Sequence, residues 1–138
     1  SHEALRMTSP VMHMRRTATE DTEIAGQRIA ENEKVIMWYG AANRDPSVFP
    51  DPNVFDLTRD NVEKHVAFGH GVHRCLGNRI AQMQLKMAYE RILERFPNIH
   101  WTGKQKIEPI ILVHAISSLK VNLYGKGAKR PTQVAVPG

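Results

Sequence analysis

The spacing of hydrophobic residues changes along the chain, and the change predicts a fold of the α+β class. Over residues 78–96 apolar residues recur three and four positions apart, which predicts a long helix with an apolar stripe. That stripe consists of Ala81, Leu85, Ala88, Ile92 and Phe96. A second apolar strip contains Ile80, Met83 and Met87. Together the two strips predict a helix that is packed on two sides.

Shorter patterns elsewhere predict strands and turns. The run Val35–Tyr39 is rich in strand formers, and turn signals at Ala25-Gly26 and in residues 31–33 predict short hairpin strands over residues 15–34. Two further strands are predicted at residues 110–113 and 119–123, with a turn near residues 115–117. Small β hairpins therefore accompany the long helix.

The two ends of the chain and its middle follow neither the long-helix pattern nor the strand pattern. Residues 3–8 read as the end of a helix that Pro10 closes, and prolines at positions 46, 50 and 52 predict irregular backbone between the strands and the long helix. We find no internal repeat and no linker, so residues 1–124 are expected to form one unit. Residues 125–138 lack periodicity and are predicted to be a disordered tail.

Charge and composition narrow the function classes. The formal net charge is +5 and the pI about 9.6, but the basic residues do not form one block and no nucleic-acid motif occurs, so no nucleic-acid partner is expected. One cysteine excludes an internal disulfide and fits a reducing compartment. There is no signal peptide and no apolar run of membrane-spanning length, which predicts a cytoplasmic protein.

The single cysteine, Cys75, lies in the run Phe-Gly-His-Gly-Val-His-Arg-Cys-Leu-Gly over residues 68–77, just before the predicted helix. The helix N-terminus stabilises a thiolate, and a thiolate is a strong axial donor to haem iron. Gly69, Gly71 and Gly77 allow the backbone to approach a flat cofactor. The alternative is a buried free cysteine with a purely structural role. A zinc site from His70, His73 and Cys75 has too few ligands for structural zinc.

The ten-residue run resembles the haem-binding loop of the cytochromes P450, the haem-thiolate monooxygenases, and it meets every fixed position of the pattern Phe-Gly-x-Gly-x-His/Arg-x-Cys-x-Gly. The family's catalytic domain is several times larger. The resemblance therefore implies that residues 1–124 are the C-terminal, haem-binding portion of this mostly helical fold, with the distal helix and most of the substrate pocket missing.

The resemblance implies haem b (iron-protoporphyrin IX) as the cofactor and Cys75 as the iron ligand and catalytic residue. His73 and Arg16 align with positions that bind the haem propionates. The other cofactor-binding residues it implies are Phe68, Gly69, Gly71, Leu76, Gly77 and Ala81. Of these, Leu76 and Gly77 would offer backbone N–H groups to the sulfur.

The resemblance also assigns a structural cluster and a substrate site. Glu3-Ala4-Leu5-Arg6 resembles the family's Glu-x-x-Arg motif, and Arg59 would complete a buried charged cluster that holds the cysteine loop. Two segments would contact a hydrophobic small-molecule substrate. The residues implied there are Val11, Met12, Met14 and Val113.

The implied activity is hydroxylation of a hydrophobic small molecule with O₂ and electrons from a redox partner. An acidic ferredoxin is the expected electron donor, attracted by Lys64, Arg74 and Arg79 around the cysteine loop. The truncated chain alone is not expected to be catalytically competent. Two alternatives stay open, a non-catalytic haem-binding fragment and a basic interaction module without a cofactor.

Overall fold

The structure, a computed structural model, describes residues 1–126, which are organised as two compact units. The first unit comprises residues 1–78 and 109–114, and the second comprises residues 79–108 and 115–126 of the described chain. The fold is a mixture of helices and small two-stranded sheets. Of the predicted tail, residues 127–138 lie outside the described part.

The first unit holds most of the elements. In chain order they are α1 (His2–Thr8), β1 (His13–Thr17), β2 (Thr22–Ile24), β3 (Gln27–Ile29), β4 (Lys34–Trp38), α2 (Tyr39–Ala42) and two 3₁₀ turns (Val62–Lys64 and Gly71–His73). Helix α1 is capped by the next residue, Ser9, whose φ of 40° is left-handed and whose N–H donates to the Leu5 carbonyl, before Pro10 redirects the chain.

The predicted hairpin region contains two nested antiparallel pairs. Strand β1 pairs with β4, with Arg16 opposite Val35, and strand β2 pairs with β3 inside this larger hairpin. Ala25 and Gly26 connect β2 to β3 with φ values of 50° and 81°, the signs that a two-residue hairpin turn of the right twist requires. The apolar run Val35–Trp38 is a strand as predicted, but Tyr39 already belongs to helix α2.

The second unit consists of α3 (Asn78–Arg95), β5 (His100–Glu108) and β6 (Ala115–Asn122). Asn78, the first residue of α3, still belongs to the first unit. Strands β5 and β6 pair antiparallel. The prediction here was wrong in two respects. Residues 110–113 form no strand apart from an isolated bridge at Val113, and the turn predicted at residues 115–117 is the start of β6. Strand β5 was missed because Gly103, Lys104 and Lys106 suppress its strand signal, which an exposed hairpin tolerates.

The side chains of helix α3 differ from the expectation as well. Both apolar strips were predicted to be packed, yet no residue of α3 is fully buried, and Ile80, Met83 and Met87 are each more than half exposed. The buried residues among those described all lie in the first unit. They are Glu3, Leu5, Arg6, Ser9, Asn43, Phe49, His65, Ala67 and Gly69.

Candidate cofactor site around Cys75

The cysteine loop, residues 68–77, is closed by backbone hydrogen bonds. The Cys75 N–H donates to the Phe68 carbonyl at 2.8 Å, which brings the two ends of the loop together. Inside it, the 3₁₀ turn Gly71–His73 ends with the Arg74 N–H donating to the Gly71 carbonyl at 3.0 Å. The Asn78 N–H then donates to the Cys75 carbonyl at 3.2 Å as the helix begins. The thiol is therefore carried on backbone whose conformation is fixed on both sides.

Two glycines make this loop conformation accessible. Gly69 and Gly71 have φ values of 73° and 66°, a region that residues with a Cβ rarely adopt. At Gly69 a Cβ would also lie 3.3 Å from the Tyr39 hydroxyl, whereas at Gly71 it would meet open space. Glycine is therefore favoured at position 71 by the backbone conformation alone. At position 69 it is favoured both by the backbone conformation and by the close approach of Tyr39.

A cavity of about 470 Å³ opens beside the cysteine loop in the first unit. This volume lies within the range of small-molecule and cofactor sites. It is lined by Leu5, Pro10, Val11, Met14, Arg16, Tyr39, Ala67, Phe68, Gly69, His73 and Cys75. Most of these side chains are apolar, the nitrogen-bearing ones belong to Arg16 and His73, and the lining within the described chain includes no carboxylate. The site therefore suits an apolar ligand that carries anionic groups and accepts a sulfur donor.

Seven of the residues implied by the family resemblance line this one cavity. They are Val11, Met14, Arg16, Phe68, Gly69, His73 and Cys75. The cavity lining does not include Met12, Gly71, Leu76, Gly77 or Val113. Gly77 nevertheless lies near the sulfur, because a Cβ built on it would be 3.9 Å from Cys75 Sγ. The Leu76 side chain is fully exposed, and Ala81 lies on α3 in the second unit.

The two segments implied as substrate contacts pair with each other. Val11 forms an antiparallel bridge with Val113, the Met12 N–H donates to the Leu112 carbonyl at 2.9 Å, and the His114 N–H donates to the Pro10 carbonyl at 2.8 Å. Met12 and Val113 thus contribute backbone that holds Val11 at the cavity.

Glu3, Arg6 and Arg59 come together in a buried cluster. Arg6 is fully buried and makes a two-pronged ion pair with Glu3, from Nε to Oε2 and from Nη2 to Oε1, both at 2.7 Å. Arg59 Nε donates to Glu3 Oε1 at 3.4 Å. Such paired, charge-assisted geometry is the strongest form of carboxylate recognition by arginine.

The arginines also collect backbone carbonyls from the irregular segment, residues 43–59. Arg6 donates to the carbonyls of Asn43, Pro52 and Val54, and Arg59 donates to those of Pro50, Asp51 and Val54. Prolines prevent this segment from pairing with itself, so the guanidinium groups satisfy the carbonyls that regular structure would otherwise satisfy.

The ion pair changes the titration of Glu3. The hydrogen bond from Arg6 is the main cause that lowers the pKa of Glu3 from 4.5 to about 2, against an opposing effect of burial. A carboxylate with a lowered pKa in the folded state contributes stability that is complete above pH 4.5 and is lost as the pH falls toward 2.

Asn43 is a site residue that sequence reasoning missed. It is fully buried, its carbonyl accepts from Arg6 at 2.7 Å, and its side-chain Oδ1 accepts the Val66 N–H at 2.7 Å. Its Nδ2 donates to Ser9 Oγ at 2.9 Å. Asn43 thereby connects the Glu3–Arg6 pair to the segment that leads into the cysteine loop. The available signal was its position just before Arg44-Asp45-Pro46, where an asparagine side chain often replaces backbone partners.

The described part of the chain shows neither a metal site of the usual kind nor a membrane span. Within residues 1–126 no three His, Cys, Asp or Glu side chains cluster closely enough to hold a metal ion. Over the same residues, no helix combines the length and apolar character needed to cross a bilayer.

Comparisons with known proteins agree on one family. The sequence model of the family "Cytochrome P450" matches residues 1–121. The chain is 45% identical over 124 residues to linalool 8-monooxygenase of Pseudomonas putida, covering 90% of this chain and 30% of that protein. It thus spans about a third or less of the length of the curated relatives it matches.

Solved structures give the same result. P450BioI, solved in complex with an acyl carrier protein ligated to hexadec-9Z-enoic acid, is 40% identical with a TM-score of 0.83, over 87% of this chain and 31% of that one. Cytochrome P450-153 from Novosphingobium aromaticivorans is 42% identical with a TM-score of 0.81, over 87% and 30% of the two chains.

The buried cluster generates a stability prediction. Arg6→Ala leaves the Glu3 carboxylate buried without its main partner and removes the side-chain donor from the carbonyls of Asn43 and Pro52, so we expect the free energy of unfolding to fall by about 3–5 kcal/mol. Urea unfolding followed by circular dichroism measures this loss. Arg28→Ala is the matched control, because Arg28 also pairs with a carboxylate, Asp21, but both side chains are more than half exposed. Equal losses in the two variants would contradict a special role for the buried cluster.

Proposed function

Because this chain belongs to the cytochrome P450 family, we propose that Cys75 is the proximal thiolate ligand of a haem b iron and that the cavity beside it is part of the haem site. The observation that carries the proposal is the convergence of a lone exposed cysteine, apolar walls and two nitrogen-bearing side chains on one cavity. An iron porphyrin has a matching chemistry, since it needs an axial sulfur donor, apolar contact for the ring and cations for two propionates.

Each residue of this chain has a distinct task in the proposal. Cys75 donates its thiolate, Phe68 packs at the start of the loop and excludes water from the sulfur, and the Leu76 and Gly77 amides moderate the donor. Arg16 and His73 bind the propionates through charge-assisted hydrogen bonds. Gly69 and Gly71 give the loop its conformation, and Ala81 offers a small side chain near the start of α3.

For the whole protein we propose a monooxygenase that hydroxylates a hydrophobic small molecule. When bound, haem supplies the activation of O₂, with electrons that come from a redox partner. Val11, Met12, Met14 and Val113 are the proposed substrate-side residues, and the paired segments 10–12 and 112–114 support them as one surface. The relative named linalool 8-monooxygenase and others named steroid C26-monooxygenase support a hydrophobic substrate class.

A redox partner of the acidic ferredoxin type is proposed for the cysteine side. Lys64 ends the first 3₁₀ turn, Arg74 precedes the cysteine, and Arg79 lies in the first turn of α3, all three with exposed side chains. The thiol is itself exposed, so the protein surface near it is where an electron donor has the shortest path to the iron. Basic residues there would raise the association rate of an acidic partner.

Replacing the sulfur tests the ligand assignment. Haem-loaded wild-type protein should show the thiolate-type band in its reduced, carbon-monoxide-bound absorption spectrum, and Cys75→Ser should abolish it because no other cysteine exists in the chain. His70→Asn, a change in the same loop outside the cavity lining, is the control that should retain the band. A thiolate band in Cys75→Ser would exclude Cys75 as the ligand. Absence of haem binding by the wild type would favour a cofactor-free interaction module.

Replacing each of two adjacent arginines on β1 tests whether Arg16 binds a haem propionate. Arg16 lines the cavity, whereas Arg15 is exposed and points to the opposite side of the strand. A lost charge-assisted contact costs about 1.5–3 kcal/mol, so Arg16→Ala should weaken haem affinity about tenfold or more, measured by haem transfer to a competing acceptor. Arg15→Ala removes the same charge and should change affinity little. Equal losses would show that net charge, and not the cavity, governs haem affinity.

Charge reversal tests the partner surface. Lys64→Glu with Arg79→Glu should lower the association rate of an acidic ferredoxin about tenfold or more at low ionic strength and much less at high salt. Arg28→Glu with Lys34→Glu makes the same change in net charge on the β1–β4 region and is the control. Stopped-flow reduction measures the rate. If the association rate changes neither with salt nor with charge reversal at Lys64 and Arg79, the partner docks elsewhere.

A further inference from the structure

His65 is a buried histidine that the proposed haem chemistry does not use. It follows the 3₁₀ turn Val62–Lys64, lies three residues before Phe68, the first residue of the cysteine loop, and is 8% exposed. The Ala67 N–H donates to its Nδ1 at 3.2 Å, so Nδ1 carries a lone pair and the ring proton of the neutral tautomer lies on Nε2. That Nε2 faces His2 Nδ1 at 3.4 Å, a geometry in which His65 donates and His2 accepts.

The ring of His65 also packs against the loop itself. Its centroid is 6.1 Å from that of Phe68, and Phe68 is the residue whose carbonyl accepts the Cys75 N–H. Two residues before Phe68, the Val66 N–H donates to Asn43 Oδ1 at 2.7 Å. Two successive amides before Phe68 are therefore held by side-chain acceptors, one from Asn43 and one from His65.

The surroundings of His65 favour the neutral ring. Burial is the main cause that lowers its pKa from 6.5 to about 4, and electrostatic interactions with His2, Arg74 and Arg6 add to this effect. Glu3 acts in the opposite direction. These groups come from α1, which packs against the turn before His65, and from the cysteine loop.

We propose that neutral His65 is a positioning residue, which holds the cysteine loop in its cavity-lining conformation by accepting the Ala67 N–H and packing against Phe68. A protonated ring has no lone pair on Nδ1, so it repels the Ala67 N–H and releases this anchor. The inference rests on the proposed role of Cys75 only in that the positioned group is the proposed haem ligand. The anchor itself acts in the chain with or without haem.

The direction of the pH effect follows from the two protonation states. The unfolded chain takes up the proton near pH 6.5 and the folded chain only near pH 4, so acid favours unfolding between these values. With these two values, the folding equilibrium constant attributable to His65 falls about 20-fold between pH 7 and pH 5. Above pH 7 this contribution is constant.

Two substitutions of His65 separate its role as hydrogen-bond acceptor for the Ala67 N–H from its protonation. His65→Asn keeps a side-chain oxygen near the position of Nδ1, where it can accept the Ala67 N–H, but this side chain does not titrate. His65→Leu keeps an apolar side chain of similar bulk and removes the acceptor. His70→Asn removes an exposed histidine of the cysteine loop and is the matched control.

The first measurement uses the chain without haem. Amide hydrogen-exchange protection of Ala67 and Cys75, corrected for intrinsic rates, should decrease by more than about tenfold from pH 7 to pH 5 in the wild type and in His70→Asn. In His65→Asn protection should be retained across this range, and in His65→Leu it should be reduced already at pH 7. Wild-type pH dependence in His65→Asn, or full protection in His65→Leu, would overturn the proposal.

The second measurement uses haem-loaded protein and keeps the two proposals distinguishable. The rate of haem loss should rise on acidification from pH 7 to pH 5 in the wild type and rise less in His65→Asn. If the amide results are as expected but no thiolate spectrum forms at pH 7, the haem proposal fails and the positioning role of His65 stands. If the thiolate spectrum forms but the amide protection of His65→Asn follows that of the wild type, the positioning role fails alone.

Discussion

The buried guanidinium of Arg6 is the constraint on which the rest of the first unit depends. A fully buried cation is tolerated only when a countercharge and hydrogen-bond acceptors surround it. Glu3 provides the countercharge, and the carbonyls of Asn43, Pro52 and Val54 provide the remaining acceptors. Because these carbonyls belong to a proline-rich segment that cannot form a regular ladder, the burial of Arg6 and the conformation of this segment depend on each other.

The constraint continues from Arg6 to the cysteine through a short series of hydrogen bonds. The Asn43 carbonyl accepts from Arg6 while the Asn43 side chain accepts from Val66, and the next amide, that of Ala67, donates to His65. Phe68 follows immediately and accepts the Cys75 N–H. No step of this path spans more than one hydrogen bond or a few residues of backbone. The position of the thiol is thereby connected to a charged pair that lies more than 60 residues earlier in the sequence.

The sequence predicted several residues that line the cavity, but not the hydrogen bonds that hold the surrounding segments. Cys75, His73 and Arg16 followed from a local motif and its alignment, and they line one cavity because a strand and a loop carry them to it. Asn43 and His65 were missed because their roles consist of accepting single backbone amides from another segment, which leaves no periodicity. The strand over residues 100–108 was missed for a related reason, since pairing in an exposed hairpin needs no apolar alternation.

The buried residues of the first unit are more often polar than is usual for a small core. Leu5, Phe49 and Ala67 are its buried hydrophobic residues among those described, and the buried polar residues are Glu3, Arg6, Ser9, Asn43 and His65. An apolar core can repack around altered side chains, whereas a satisfied polar network has few alternative geometries because each displaced partner leaves a buried group unpaired. A loop that must present one sulfur in one direction is better served by the second kind of core. The same property makes the loop sensitive to protonation, since Glu3 and His65 hold their partners only as carboxylate and as neutral imidazole.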